Sequence, residues 1–152
     1  MEINEMTAEE CGTLLERACV GRLGCSFENQ PYVVPIYFAY DSDYLYVFST
    51  VGQKIKYMRC NPKVCVQADE MQSESEWMSV IVNGDYEELP EPQYTAERQH
   101  AISLLARRNH WWLNALGERK MRVGDRSIEP LFFRIRIRSM SGMRATNERT
   151  RN

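Results

Sequence analysis

Pro31–Glu70 reads PYVVPIYFAYDSDYLYVFSTVGQKIKYMRCNPKVCVQADE, and its reading decides the fold. Tyr32–Tyr40 and Tyr44–Ser49 are runs of aromatic and β-branched residues, suited to a pleated, half-buried surface. Asp41-Ser42-Asp43 between them is a short polar loop, so the two runs pair as an antiparallel hairpin. Lys54–Cys60 has room for two helical turns before Asn61-Pro62, because the residue ahead of a proline avoids the α region. Lys63–Ala68 then alternates, with Val64, Val66 and Ala68 on one side. Ser49, Thr50, Gly52 and Lys54 gather hydroxyls, backbone amides and a cation at the start of the short helix. Such a set suits an anion, most often phosphate. It is not a P-loop, since a second upstream glycine and a Lys-Ser/Thr pair are both missing. A strand-to-helix cap, with Thr50 as N-cap and Lys54 solvated, accounts for the same residues, and the chemistry alone leaves both readings open.

Outward from this stretch, Thr7-Ala-Glu-Glu10 is a capping box for a helix carrying Cys11, Leu14, Leu15 and Ala18 at helical spacing. Val20–Phe27 reads as a strand in which Gly21 and Gly24 allow a bend or bulge. A turn at residues 28–31 leads into the next strand, where Pro35 marks an edge or bulge because it has no N–H to donate. Residues 69–76 read as an acidic loop and Trp77–Tyr86 as a strand apolar on both faces. Leu89-Pro-Glu-Pro92 breaks into a helix over about residues 93–108, and Gly117 stops the segment that carries Trp111-Trp112-Leu113 and Leu116. Leu131–Met140 alternates, with Phe133, Ile135 and Ile137 on one face and Arg134, Arg136 and Arg138 on the other; Ser141–Asn152 reads as a tail. Six strands without a β-α-β rhythm favour a mainly β domain, an antiparallel barrel with flanking helices, since closure removes unpaired edges.

A chain of 152 residues with 43% hydrophobic and 26% charged residues is one ordinary globular domain, placed here at residues 1–152. Its formal net charge of −2 offers no bulk attraction to nucleic acid or an anionic membrane. No apolar run approaches the roughly 20 residues that span a bilayer. The acidic start lacks a basic-then-apolar leader pattern, so the expected location is cytoplasmic. Five scattered cysteines without a C-x-x-C pair read as reduced core thiols, and His100 and His110 stand too far from them for a zinc site. Trp111 and Trp112 read first as core or interface, with an aromatic wall against a planar ligand as the alternative. The arginines of the last strand read as a solvated face, with Asp85, Glu87 and Glu88 as cross-strand partners.

Taken in order, three motifs resemble the pyridoxamine 5′-phosphate oxidase-like, FMN-binding split-barrel superfamily. They are Val34-Pro35-Ile36-Tyr37-Phe38, Leu45–Lys54 and Asn61-Pro62-Lys63-Val64. Trp77-Met-Ser79-Val80 with Gly84 and the ending Phe133–Ala145 fit the same pattern, so that the likeness covers about residues 7–146. The resemblance implies a six-stranded antiparallel split barrel working as a homodimer, with FMN at the dimer interface. It implies backbone contacts to the flavin ring from Pro35, Ile36 and Tyr37. Ser49 and Thr50 would bond the ribityl-phosphate end, and Lys54 would neutralise the phosphate. Ser79 would line the same groove, and Trp111 or Trp112 would reach across from the other subunit. The chain ends without the Trp and Arg-x-x-His-x-Arg motif of the oxidases proper, so vitamin B6 oxidation is not expected. It is more similar to the short nitroimidazole-resistance (Nim-like) branch, although Val47-Phe48 stands where that branch carries a His. The implied function is an FMN-dependent oxidoreductase for a small-molecule substrate, with NADH or NADPH as candidate donor. The alternative is a module that binds flavin, haem or deazaflavin without turnover.

Overall fold

The computed structural model describes residues 1–108, 122–123, 126–127 and 130–147. In chain order its elements are β1 (Glu2–Glu5), α1 (Ala8–Arg17), β2 (Val20–Phe27), β3 (Gln30–Asp41) and β4 (Tyr44–Thr50). Next come α2 (Gln53–Cys60), β5 (Lys63–Ser73), β6 (Glu76–Glu88), α3 (Thr95–Ala106), β7 (Arg122–Val123), β8 (Arg126–Ser127) and β9 (Pro130–Thr146). The main sheet runs β1-β9-β4-β3-β2-β5-β6, and β6 pairs again with β9. Six antiparallel strands therefore close into a barrel, as the hairpin rhythm predicts, and β1 is a short seventh strand beside the far end of β9. β7 and β8 form a separate ribbon.

Local chemistry fixes the hairpins. Glu28 and Asn29 take positive φ angles of 50° and 62°, the mirror-image turn that suits the twist of the paired strands. Period-two alternation then sends Leu23, Cys25, Ile36, Phe38, Leu45, Val47, Val64, Val66, Val80, Val82, Phe133 and Ile135 into one core. Helix α1 adds Leu14 and Leu15 to that core, and α2 adds Ile55 and Met58. A second cluster lies outside the barrel, where Ala101 and Leu105 of α3 cover Ala39, Tyr46 and Phe132. Phe132 and Phe133 are thus both buried, on opposite faces of β9.

Several boundaries differ from the sequence reading. The expected loop at residues 69–76 is strand up to Ser73, and the expected tail from Ser141 is strand up to Thr146. The register of β2 on β3 is unbroken from Val20 to Phe27, so Gly21 and Gly24 do not mark a bulge. Register shifts fall instead between Met71 and Ser73 of β5 and between β6 and β9, where Asn83 pairs Ser139 and Gly84 pairs Ile137, leaving Arg138 as the extra residue. The slip moves the inward phase of β9 from Phe133, Ile135 and Ile137 to Met140 and Gly142. Gly84 permits the close approach there, since a Cβ on it would lie 2.4 Å from the Arg136 carbonyl oxygen. The arginine face is paired as expected, Arg134 with Glu87 at 2.8 Å and Arg138 with Asp85 at 3.0 Å. Only half of the capping box forms: the Glu10 amide donates to Thr7 Oγ1 at 3.2 Å, while the Glu10 carboxylate pairs with Arg144.

Candidate functional site

The barrel is split between β3 and β4. β2 covers β3 from Gln30 to Tyr37, but β4 pairs it only from Phe38 to Asp41. Beyond Val47, β4 continues with Phe48, Ser49 and Thr50 against β9 alone. The two strands diverge into a fork, so that β4 does not pair with β3 before Phe38. Pro35 suits such a stretch because it has no N–H to pair. Ile36 is buried in the barrel core, and Tyr37, next along the pleat, is 42% exposed. The other prong carries Ser49 and Thr50 and leads through Gly52 into α2. That helix sets Ile55 and Met58 in the core and Tyr57 against Phe27 and Tyr32 of the β2–β3 hairpin.

The start of α2 has unusual electrostatics. Its N-cap is Gly52, with no side-chain cap and no acidic residue in the first turn. Thr50 is the last residue of β4, so the reading of Thr50 as N-cap is not what forms. The helical ladder begins with the Lys56 amide donating to the Gly52 carbonyl at 3.2 Å, so the amides of Gln53, Lys54 and Ile55 precede it. A Cβ placed on Gly52 would meet no atom within 4 Å, so the space over this turn is open. Lys54 sits in the first turn, where a cation opposes the helix dipole and is ordinarily unfavourable by about 0.3–1 kcal/mol. Burial pulls its ammonium below the usual lysine range, with the Cys25 thiol acting the other way. No carboxylate pairs with Lys54 among the described residues. Cys25 lies 29 positions away in sequence (54 − 25) and had no signal linking it to this site.

The expected site residues separate into three groups. Pro35, Ile36 and Tyr37 lie on one prong of the fork, and Ser49 and Thr50 on the other, which leads to Lys54 in the first turn of α2. Within the fork Ser49 is 7% exposed and donates its proton to the Thr50 carbonyl at 3.1 Å, whereas Thr50 is half-buried on the outer face. Ser79 lies on β6, three strands from β3 in either direction around the barrel, a sheet path of about 14 Å. It accepts from Gln67 Nε2 at 3.0 Å, and Gln67 also donates to Asp69 at 2.9 Å. A single protomer therefore does not bring Ser79 to the fork. Trp111 and Trp112 lie outside the described residues. Among the described residues no cluster of His, Cys, Asp or Glu is arranged for a metal ion, and all five cysteines are free. No helix among them is long and apolar enough to cross a membrane.

An antiparallel barrel whose β3 and β4 part beyond Phe38 and Val47, with a cationic helix start after the parting strand, is a split β-barrel. The chain belongs to the pyridoxamine 5′-phosphate oxidase family, whose model matches residues 7–144. It is 45% identical over 113 residues to an uncharacterised protein of Rhizobium meliloti (strain 1021), covering 74% of this chain and 75% of that one. A crystal structure of an FAD-binding protein from Mesorhizobium loti is 40% identical, with a TM-score of 0.78, covering 97% of this chain and 99% of the other. The fold is shared with a candidate 5-nitroimidazole antibiotic resistance protein from Bacteroides thetaiotaomicron. That match has a TM-score of 0.66 at 20% identity, covering 97% of this chain and 93% of that one.

Proposed function

We propose that this protein is a flavin-binding oxidoreductase that holds the FMN moiety, common to FMN and FAD, in the β3–β4 fork. The observation that carries this reading is the acid-free start of α2, without a side-chain cap, with a half-buried Lys54 where β4 parts from β3. An anion there would accept from the first-turn amides and neutralise a cation that otherwise opposes the helix dipole. The likeness to the FAD-binding protein of Mesorhizobium loti supports a flavin as the group that brings the anion.

The residues present fit the group. Lys54, Thr50 and the amides of Gln53, Lys54 and Ile55 form a donor set for a phosphate, and the open space over Gly52 admits it. The β3 edge at Pro35–Ile36, which β4 does not pair, offers backbone contacts to a planar heterocycle, and Tyr37 is 42% exposed beside it. A bound flavin would supply the hydride or electron transfer. The chain would fix the phosphate, align the ring along β3 and keep one side of it against the barrel.

A second copy of the chain completes the proposal. The outer face of β3, β2, β5, β6 and β9 leaves Val20, Val33, Tyr37, Ile81 and Met143 exposed. A homodimer formed on this face would cover them and carry Ser79 toward the partner's fork.

The test is a visible absorption spectrum after incubation with FMN and desalting, followed by anaerobic mixing with NADH or NADPH. A retained flavin band that bleaches on mixing is the expected result. A retained band that no reductant of this class bleaches would leave a binding module without turnover, and loss of the band would overturn the site.

A further inference from the structure

A cavity of about 360 Å³ opens beside the tip of the β5–β6 hairpin. Its size lies within the roughly 300–1,000 Å³ of small-molecule sites. Three strands build it: β5 brings Glu70, β6 brings Glu76, Trp77 and Met78, and β9 brings Arg144 and Ala145. Glu70, Met78 and Arg144 continue the inward pleat phase of Ala68, Val80 and Gly142, and Glu70 and Arg144 both reach α1, which places the cavity on the rim of the barrel next to that helix. Trp77 has the pleat phase of Ile81 but lies four residues, about 13 Å, further along β6. The fork belongs to β3 and β4, none of whose residues line this cavity.

Two groups in the lining are left without a partner. The two oxygens of Glu70 accept from two nitrogens of Arg17, at 2.9 and 3.0 Å, and Arg144 pairs with Glu10, so α1 meets both of those charges. Glu76 is half-buried opposite Ser73 and has no ion pair among the described residues. Trp77 is half-buried as well, and no ring or guanidinium among the described residues stacks on its indole. Its partner on β9 is Ala145, whose single methyl group leaves room beside the indole. A carboxylate and an indole in one cavity favour the same ligand, a cation on an apolar body. The carboxylate attracts it by charge, and the indole through the ring quadrupole, which acts within about 6 Å of the ring centroid. Among the described residues no group of His, Cys, Asp and Glu is arranged for a metal, so the cation that fits is an organic one.

We propose that this cavity binds an organic ammonium ion, with Glu76 as its counter-ion, the Trp77 indole against the charged nitrogen, and Met78 and Ala145 against the apolar remainder. The site stands apart from the flavin reading of the fork and does not depend on it.

Full-length wild type, Glu76→Gln, Trp77→Leu and Trp77→Phe would be titrated calorimetrically with choline and tyramine, and with their uncharged analogues 3,3-dimethylbutan-1-ol and tyrosol. Wild type is expected to bind at least one of the two cations, and the matching uncharged analogue at least ten-fold more weakly. Glu76→Gln and Trp77→Leu are each expected to weaken that cation at least five-fold, while Trp77→Phe, which keeps an aromatic face, retains most of the affinity. Glu76→Gln changes a partly exposed group without changing its size, so its result stands even if Trp77→Leu fails to fold. Binding of neither cation by wild type, equal affinity for a cation and its uncharged analogue, or wild-type affinity in Glu76→Gln would overturn the proposal.

Discussion

Lys54 and Thr50 are where the phosphate reading becomes chemistry. Lys54 must be charged to hold a phosphate, and burial favours its neutral form. Flavin affinity is therefore expected to fall as pH rises through the depressed Lys54 pKa, starting below the range where an ordinary lysine, near about 10.4, titrates. Fluorescence titrations of FMN between neutral and alkaline pH check this, and a flat profile would remove Lys54 from the site. Thr50 and Ser49 stand side by side yet differ, because the Ser49 proton is committed to the Thr50 carbonyl. Thr50→Ala is expected to weaken FMN by about 0.5–1.5 kcal/mol and Ser49→Ala by less. The reverse order would place the phosphate on the inner side of β4. The residue types of the proposed site were visible in the sequence; their individual geometry was not. Ser-Thr-x-Gly-x-Lys suits an anion site or a helix cap, and which hydroxyl is free depends on pleat phase and on which residue begins the helix.

At the scale of elements, hairpins and helices were legible because each carries a local signal: β-branched runs, a short polar turn, an Asn-Pro stop. What escaped depends on partners distant in sequence. Glu2–Glu5 is too short and too polar to announce a strand and is one only because β9 lies beside it. Ser141–Asn152 reads as a tail, but β9 continues to Thr146 because the bulge at Arg138 restores the inward phase at Met140 and Gly142. Gly84 is the hinge of this arrangement. Gly84→Ala would press a methyl group against the Arg136 carbonyl and the Ile135 side chain, and both belong to a paired strand that cannot yield cheaply. Chemical denaturation is expected to show a loss of about 1–3 kcal/mol. Unchanged stability would mean that β6 and β9 separate more easily than their register implies.

The whole molecule is a six-stranded barrel in which β3 and β4 pair only from Phe38 to Asp41 and then part, with α2 following β4 at the opening. The family resemblance was legible from the order of the motifs, and the barrel from hairpin rhythm alone. The exposed apolar residues of the outer face make association a testable property of the whole. Wild type is expected to sediment as a dimer, and Ile81→Glu, which sets a charge in the middle of that face, as a monomer with weakened flavin retention. A wild-type monomer that binds flavin fully would show that one copy suffices.

The measurement that bears most directly on the central claim is calorimetric titration of wild type and Lys54→Ala with FMN. Wild type is expected to bind one FMN per chain, and the variant to bind more weakly by roughly 1.5–3 kcal/mol, the scale of a hydrogen bond to a charged group, with its fold unchanged. Equal affinity in the two proteins would contradict the placement of the flavin phosphate at the start of α2.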